Sequence, residues 1–198
     1  MSTGVRQERA AATRGQLIAA GLSLAEQTGL SGMSVNLIVA QAGVAKGTFF
    51  HHFRDRSEFL LALHTEFHDR VFAEIDRTIA GMAPGRERLL AATNAYLDEC
   101  LRHRGVRALL LEARVDPAII EAIAARNKLG VQLSSPDFAA MGWPHPEPGA
   151  AMWNSAVVEA AILELAAGGY QAEIRATLAQ FLGPGAGSQP GDELESAD

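Results

Sequence analysis

Ser34-Val35-Asn36-Leu37-Ile38-Val39-Ala40-Gln41-Ala42-Gly43-Val44-Ala45-Lys46-Gly47-Thr48-Phe49-Phe50-His51-His52-Phe53 is the stretch that decides how this chain is read. Ser34 opens it as a helix N-cap, its hydroxyl placed to accept a backbone N–H one turn on. A short helix then runs to about Ala42. Gly43 supplies the turn, because a tight connection between helices favours positive φ. A further short helix covers about Ala45 to His51. Two short helices joined this way make a helix-turn-helix. Ile38 and Val44 can seed the small core between them, and Phe49 and Phe53 can lock the second onto its neighbours. Lys46, Thr48, Phe50, His51 and His52 are left for the other faces. A helix that enters a major groove needs side chains for base edges or phosphates and a backbone able to come close. Lys46 can reach a guanine edge or a phosphate, Gly47 clears the approach, and Thr48 can donate to a phosphate or touch a thymine methyl. A hairpin that only packs has no need of Gly-Thr at the exposed start of a helix.

The stretch resembles the DNA-binding region of the tetracycline-repressor (TetR) family. An A-G-V-x-x-G-T-x-x-x-H-F core is matched by Ala42-Gly43-Val44, Gly47-Thr48 and His52-Phe53. Arg56 stands where the family usually has Lys. The resemblance implies that Ser34 caps and holds a phosphate, and that Asn36 sits where some members read a base. It implies that Lys46, Gly47, Thr48 and His51 face the groove, with Phe50, His52 and Arg56 along the backbone and Ala45 among the DNA contacts. Three residues depart from the pattern. Phe50 replaces a Tyr and loses a hydroxyl contact to phosphate. Asn36 stands in place of Arg or Thr, which favours adenine. Val39 replaces a small Ala where the two helices meet.

Outward from this stretch, charge is divided unevenly. The 198 residues carry a net charge of −6. Residues 1–56 hold six basic side chains against three acidic ones, a balance of +3, whereas the remainder holds 11 against 20, a balance of −9. A basic end on an acidic body can present one face to phosphates while the rest repels them. Apolar residues make up 48% and aromatics 6%; with Ala abundant and no β-branched runs between turn signals, the fold class is all-α, with about nine helices. The single Cys100 excludes an intrachain disulfide and a multi-thiolate zinc site and fits a reducing cytoplasm. The first residues lack the apolar run of a signal peptide. No apolar run reaches the roughly 18 residues of a membrane span, so no membrane partner is expected.

The expected domains are a flexible arm (1–9), a helix-turn-helix domain (10–55), a ligand-binding and dimerisation domain (56–182) and a disordered tail (183–198). The first helix covers about Ala10 to Gln27, with Gly29 and Gly32 in the following loop. Asp55 caps a long fourth helix to about Ile79, buried along Leu60, Leu63, Phe67, Val71 and Ile75. A fifth runs from about Arg86 to His103, and Gly105 separates it from a sixth at Val106–Val115. Asp116-Pro117 starts the seventh, which carries Ile119, Ile120, Ile123 and Val131 and bends at Gly130 and Pro136. Pro144, Pro146 and Pro148 mark a loop before an eighth helix from about Gly149 to Ala167. A ninth spans about Gln171 to Leu182, with Ile174, Leu178 and Phe181 on one face.

The eighth helix is rich in small residues (Gly149, Ala150, Ala151, Ala156, Ala160, Ala161) and the ninth is short and amphipathic, so two of each can build a four-helix homodimer interface. A dimer also suits a palindromic double-stranded DNA operator. The resemblance implies a small apolar or amphipathic effector in the body. Cys100, His103, Asn127, Trp153 and Asn154, polar or aromatic groups on apolar faces, are the candidate contacts, each also readable as a core residue. His64 and His68, four apart, share a face and could chelate a metal with a third ligand, or simply pack. No phosphate-cradling, dinucleotide or nucleophile-elbow motif is present, so neither an enzyme nor a cofactor is expected. A helical binding module without DNA activity is the other class, separable by selective retention of genomic fragments. The resemblance favours a transcriptional regulator, a repressor released by ligand.

Overall fold

The computed structural model describes residues 2–28 and 33–183, and in them every regular element is an α-helix. These are α1 (Ser2–Thr28), α2 (Val35–Ala42), α3 (Lys46–His52), α4 (Arg56–Ile79), α5 (Arg86–Arg102), α6 (Arg104–Ala113), α7 (Pro117–Ala140), α8 (Pro146–Ala167) and α9 (Ala172–Phe181). The expected loop glycines Gly29 and Gly32, and the expected tail from 184 onward, lie outside the described residues.

Local chemistry sets most boundaries. Leu37 N–H donates to Ser34 Oγ at 3.3 Å, Glu58 N–H to Asp55 Oδ1 at 2.9 Å and Ala118 N–H to Asp116 Oδ1 at 3.0 Å, so α2, α4 and α7 each start on a side-chain cap. Gly43 takes φ 68° to end α2, a conformation costly for any residue with a Cβ.

Three expectations are corrected, for the arm, for Gly105 and for the prolines before α8. Residues 2–9, expected as an arm, belong to α1; Val5-Arg6-Gln7-Glu8-Arg9 contains only residues a helix accepts. Gly105 lies inside α6 and the break falls at His103. A Cβ at Gly105 would sit 2.3 Å from Glu26 Cα, so the glycine serves a helix crossing rather than a turn. α7 runs unbroken through Gly130 and Pro136. Proline withdraws an N–H there; next to it Arg88 Nη2 of α5 donates to Leu133 O at 3.1 Å, and within α7 Ser134 Oγ donates to Gly130 O at 2.8 Å. Pro146 and Pro148 form the first turn of α8, where the lost N–H groups have no helical partner anyway. Ile120 and Phe181 are exposed, while Ile119 and Leu178 take the inner face.

One apolar core runs through the whole molecule, from Leu17 and Phe49 through Phe67 and Leu97 to Phe138 and Leu178. At its α3–α4 end Phe49, Phe53 and Phe59 stack with centroids 5.0–5.4 Å apart. Two buried ion pairs brace the other end. Arg88 holds Asp137 at 2.7 and 2.9 Å, joining α5 to α7. Arg175 on α9 grips the fully buried Glu164 of α8 at 2.9 and 3.1 Å and reaches Asp98 of α5 at 2.7 Å. α8 is, among the described residues, the one helix long and apolar enough to cross a bilayer, yet it carries that Glu164 pair and packs on α5, α7 and α9.

Candidate DNA-reading surface and internal cavity

α3 is held by the aromatic stack on one side and leaves the other side bare. Phe49 is fully buried; Lys46, Gly47, Phe50 and His51 are exposed and Thr48 is half-buried. A Cβ at Gly47 would meet nothing within 4 Å. The glycine therefore answers no demand of the fold, although in place of Ala it costs a helix about 1 kcal/mol. Phe50 lies edge-on to Phe49 at 5.4 Å and is half exposed, an aromatic face without a hydroxyl. His52 is partly buried against the domain; that burial, then His51 and Arg14, lowers its pKa. Ser34 is engaged as the α2 cap, while Asn36 is exposed on the first turn of α2. Arg56 points back, donating Nε–H to Met33 O at 3.4 Å, and so ties the start of α4 to the approach of α2. Val39 is buried, and its carbonyl accepts from Val44 N–H at 3.0 Å.

A cavity of about 530 Å³, open on one side, lies between α4, α5, α6, α7 and α8. Asn127, Trp153 and Asn154 line it; Cys100 and His103 do not. Cys100 is buried beside Tyr96, and that burial pushes its thiol pKa up. His103 sits outside, near Glu99 and Glu26. His64 and His68 do face the cavity, ring centroids 4.3 Å apart. Burial, and after it the nearby arginines, pushes the His64 pKa down to about 4; burial, then His64 and the arginines, pushes that of His68 to about 2. Both rings are therefore neutral at pH 7. No third His, Cys, Asp or Glu joins them in a metal-holding group among the described residues.

Among the cavity residues that the reading of the sequence did not single out as ligand contacts are Tyr96, Arg107, Arg114 and Arg126. A signal was available for the second. Arg107 falls at i, i+3, i+4 and i+7 with Leu110, Leu111 and Arg114, an inward stripe of α6 with a cation at each end. The opposite stripe of α6 includes Val106, Leu109 and Ala113, all buried, and the helix packs on α1. There the Glu26 carboxylate accepts from Gly105 N–H at 2.8 Å and Val106 N–H at 3.4 Å. One short helix thus touches both the cavity and α1.

The surface of α8 also differs from expectation. Gly149, Ala150, Ala160 and Ala161 are buried within the protomer, and a Cβ at Gly149 would meet the Phe138 ring at 2.9 Å. Met152, Ser155, Glu159, Leu163 and Ala166 form the exposed stripe, with Met152 at 75% and Leu163 at 47% exposure, and Tyr170 and Phe181 are exposed nearby in the chain.

Residues 17–63 match the family model described as "Bacterial regulatory proteins, tetR family". The transcriptional regulator CymR of Pseudomonas putida is 30% identical over 132 residues, covering 63% of this chain and 64% of CymR. The transcriptional repressor NemR of Escherichia coli K12 is 29% identical over 102 residues, half of each chain. The chain thus spans less than two thirds of the length of these relatives. Among solved structures, a protein of Rhodococcus sp. assigned to the TetR family superposes with a TM-score of 0.74 at 20% identity, covering 86% of this chain and 96% of the other. The reduced form of E. coli NemR superposes with a TM-score of 0.68 at 20% identity, covering 86% and 95%. These likenesses establish the fold.

Proposed function

We propose that this chain, whose residues 17–63 match the model of the tetR family of bacterial regulatory proteins, is a homodimeric cytoplasmic transcription regulator of that kind that places α3 in the major groove of a palindromic operator. The observation that carries this reading is Gly47. It sits exposed in the first turn of α3 with open space where a Cβ would be, and the demand it answers is the close approach of an external backbone. Lys46, Thr48 and His51 beside it supply donors for base edges and phosphates. Ser34, Asn36, Ala45, Phe50, His52 and Arg56 complete the proposed contact surface. The dimer uses α8 and α9, and the exposed Met152, Leu163 and Phe181 support it, because large apolar side chains in a row on a monomer mark an interaction face.

The regulator acts as a repressor, released when a small apolar or amphipathic ligand enters the cavity. α4 connects the two ends, and α6 adds a second route through Glu26. Ligand held on the inner stripe of α6 shifts the outer stripe against α1 and changes the spacing of the two reading helices. The ligand can do so only by binding one of the two arrangements more tightly. Selection of bound sequences from random DNA tests the DNA reading: enrichment of a two-fold motif with half-sites a whole number of helical turns apart is expected. Recovery of no motif overturns it.

A further inference from the structure

The cavity wall is short of negative charge. Arg107 is 7% exposed, and its Nε and Nη2 are buried with no hydrogen-bond partner in the protein. It enters none of the ion pairs among the described residues. The one carboxylate in the wall, Asp137, is taken by Arg88 through both oxygens. Two further guanidinium groups, Arg114 and Arg126, belong to the same wall, and Arg126 also lies over the Phe72 ring at 5.7 Å and pairs with the exposed Asp69. The two histidines facing the cavity are held neutral, partly by these cations, so they add donors or acceptors but no compensating charge. Asn154 Nδ2 is a further buried donor without a partner. The rest of the surface is apolar, including Ile75, Leu89, Leu110, Ile123 and Val157.

A buried cation without a counter-charge is costly, and removing that cost is what a complementary ligand does. We propose that the effector of this cavity is an organic monocarboxylate, its carboxylate paired with Arg107 and its aryl or alkyl body against the apolar wall. The planar fork of a guanidinium matches a carboxylate with two parallel N–H···O bonds. A cavity of about 530 Å³ lies in the usual range for small organic ligands, so the body is larger than that of an inorganic anion. This inference rests on the reading of the cavity as the effector site.

The test uses the full chain and titration calorimetry with benzoate, phenylacetate, octanoate and decanoate, each beside its neutral amide or alcohol, and with inorganic phosphate. At least one carboxylate is expected to bind about ten- to a hundredfold more tightly than its neutral partner, as a desolvated charge-assisted pair requires. In Arg107→Met that preference disappears while the neutral partner still binds, and the ligand-free variant melts no lower than the native protein. Equal binding of neutral partners, binding of phosphate as tight as that of the carboxylates, absence of any binding, or a preference that survives Arg107→Met each overturn the proposal. A ligand-free Arg107→Met that melts well below the native protein does so too, since it assigns Arg107 a structural partner. Operator selection on the same preparation keeps the two readings apart. DNA binding that persists in a chain indifferent to every carboxylate removes only the effector class, whereas carboxylate binding by a chain that selects no DNA removes only the regulator.

Discussion

The proposed reading end of this molecule and its cavity end hold their polar groups in opposite ways. Around α3 the core is wholly apolar and the polar side chains face outward, so stability and recognition are separate faces of one helix. Around the cavity, Arg107, His64 and Asn154 are turned inward with nitrogens unpaired in the protein. The difference teaches where each proposed function would be stored. A surface that meets DNA needs only exposed donors on a rigid support. A pocket that meets a small molecule must bury unsatisfied groups and carry their cost until the ligand arrives.

The contrast can be broken at its support. Phe49→Ala removes a fully buried ring from the three-phenylalanine stack and is expected to cost about 3–5 kcal/mol, measured by urea unfolding, with loss of operator binding. A cost below about 1 kcal/mol would mean that α3 is held by something other than that stack. Gly105→Ala tests the link between the ends. Its Cβ meets the backbone of Glu26 and Ala25 at 2.3–2.8 Å, so α6 must retreat from α1. A loss of about 1–3 kcal/mol is expected, together with altered operator affinity; unchanged affinity in a destabilised variant would leave α4 as the sole connection.

The cavity end is exposed by acid. The His64 pKa lies below its ordinary 6.5, at about 4. Unfolded chains therefore bind the proton first, and stability falls as pH drops from about 6.5 toward 4, by at most about 1.4 kcal/mol per pH unit for one such group. His64→Leu should reduce the slope of that acid limb of the melting profile by the share of one histidine, leaving that of His68.

Gly47→Ala separates stability from recognition most cleanly. The fold gains up to about 1 kcal/mol from the better helix former, while operator affinity falls because the new methyl stands in the approach. Equal affinity for operator would place the contact elsewhere on α3. Lys46→Ala is the mildest change. It should leave the melting temperature alone and, for a phosphate contact, reduce the salt dependence of operator binding by about one counterion.

What could be read along the chain, and what could not, follows the same division. Ser34, Gly43, Asp55 and Asp116 act on atoms within a few residues of themselves, so the reading domain and the starts of α4 and α7 were legible directly. Gly105 was not, because the reason for it is Glu26, on another helix. Pro136 likewise sits in an unbroken helix whose Leu133 carbonyl accepts from Arg88, far away in the chain. The small residues of α8 looked like an interface, yet Gly149 is small because Phe138 and Trp143 lie against it. Cys100 and His103 stood out as polar residues on an apolar helix, but their directions depended on which neighbours α5 acquired.

The sequence by itself determined the helix-turn-helix, since caps, a left-handed turn glycine and the spacing of Phe49 and Phe53 are local constraints that a short segment satisfies on its own. Only the tertiary structure decided that Arg107 faces a cavity built from five helices and that the back of the same helix rests on α1. Burial of a charge without a partner is a property of the packed whole, and no segment of chain carries it alone.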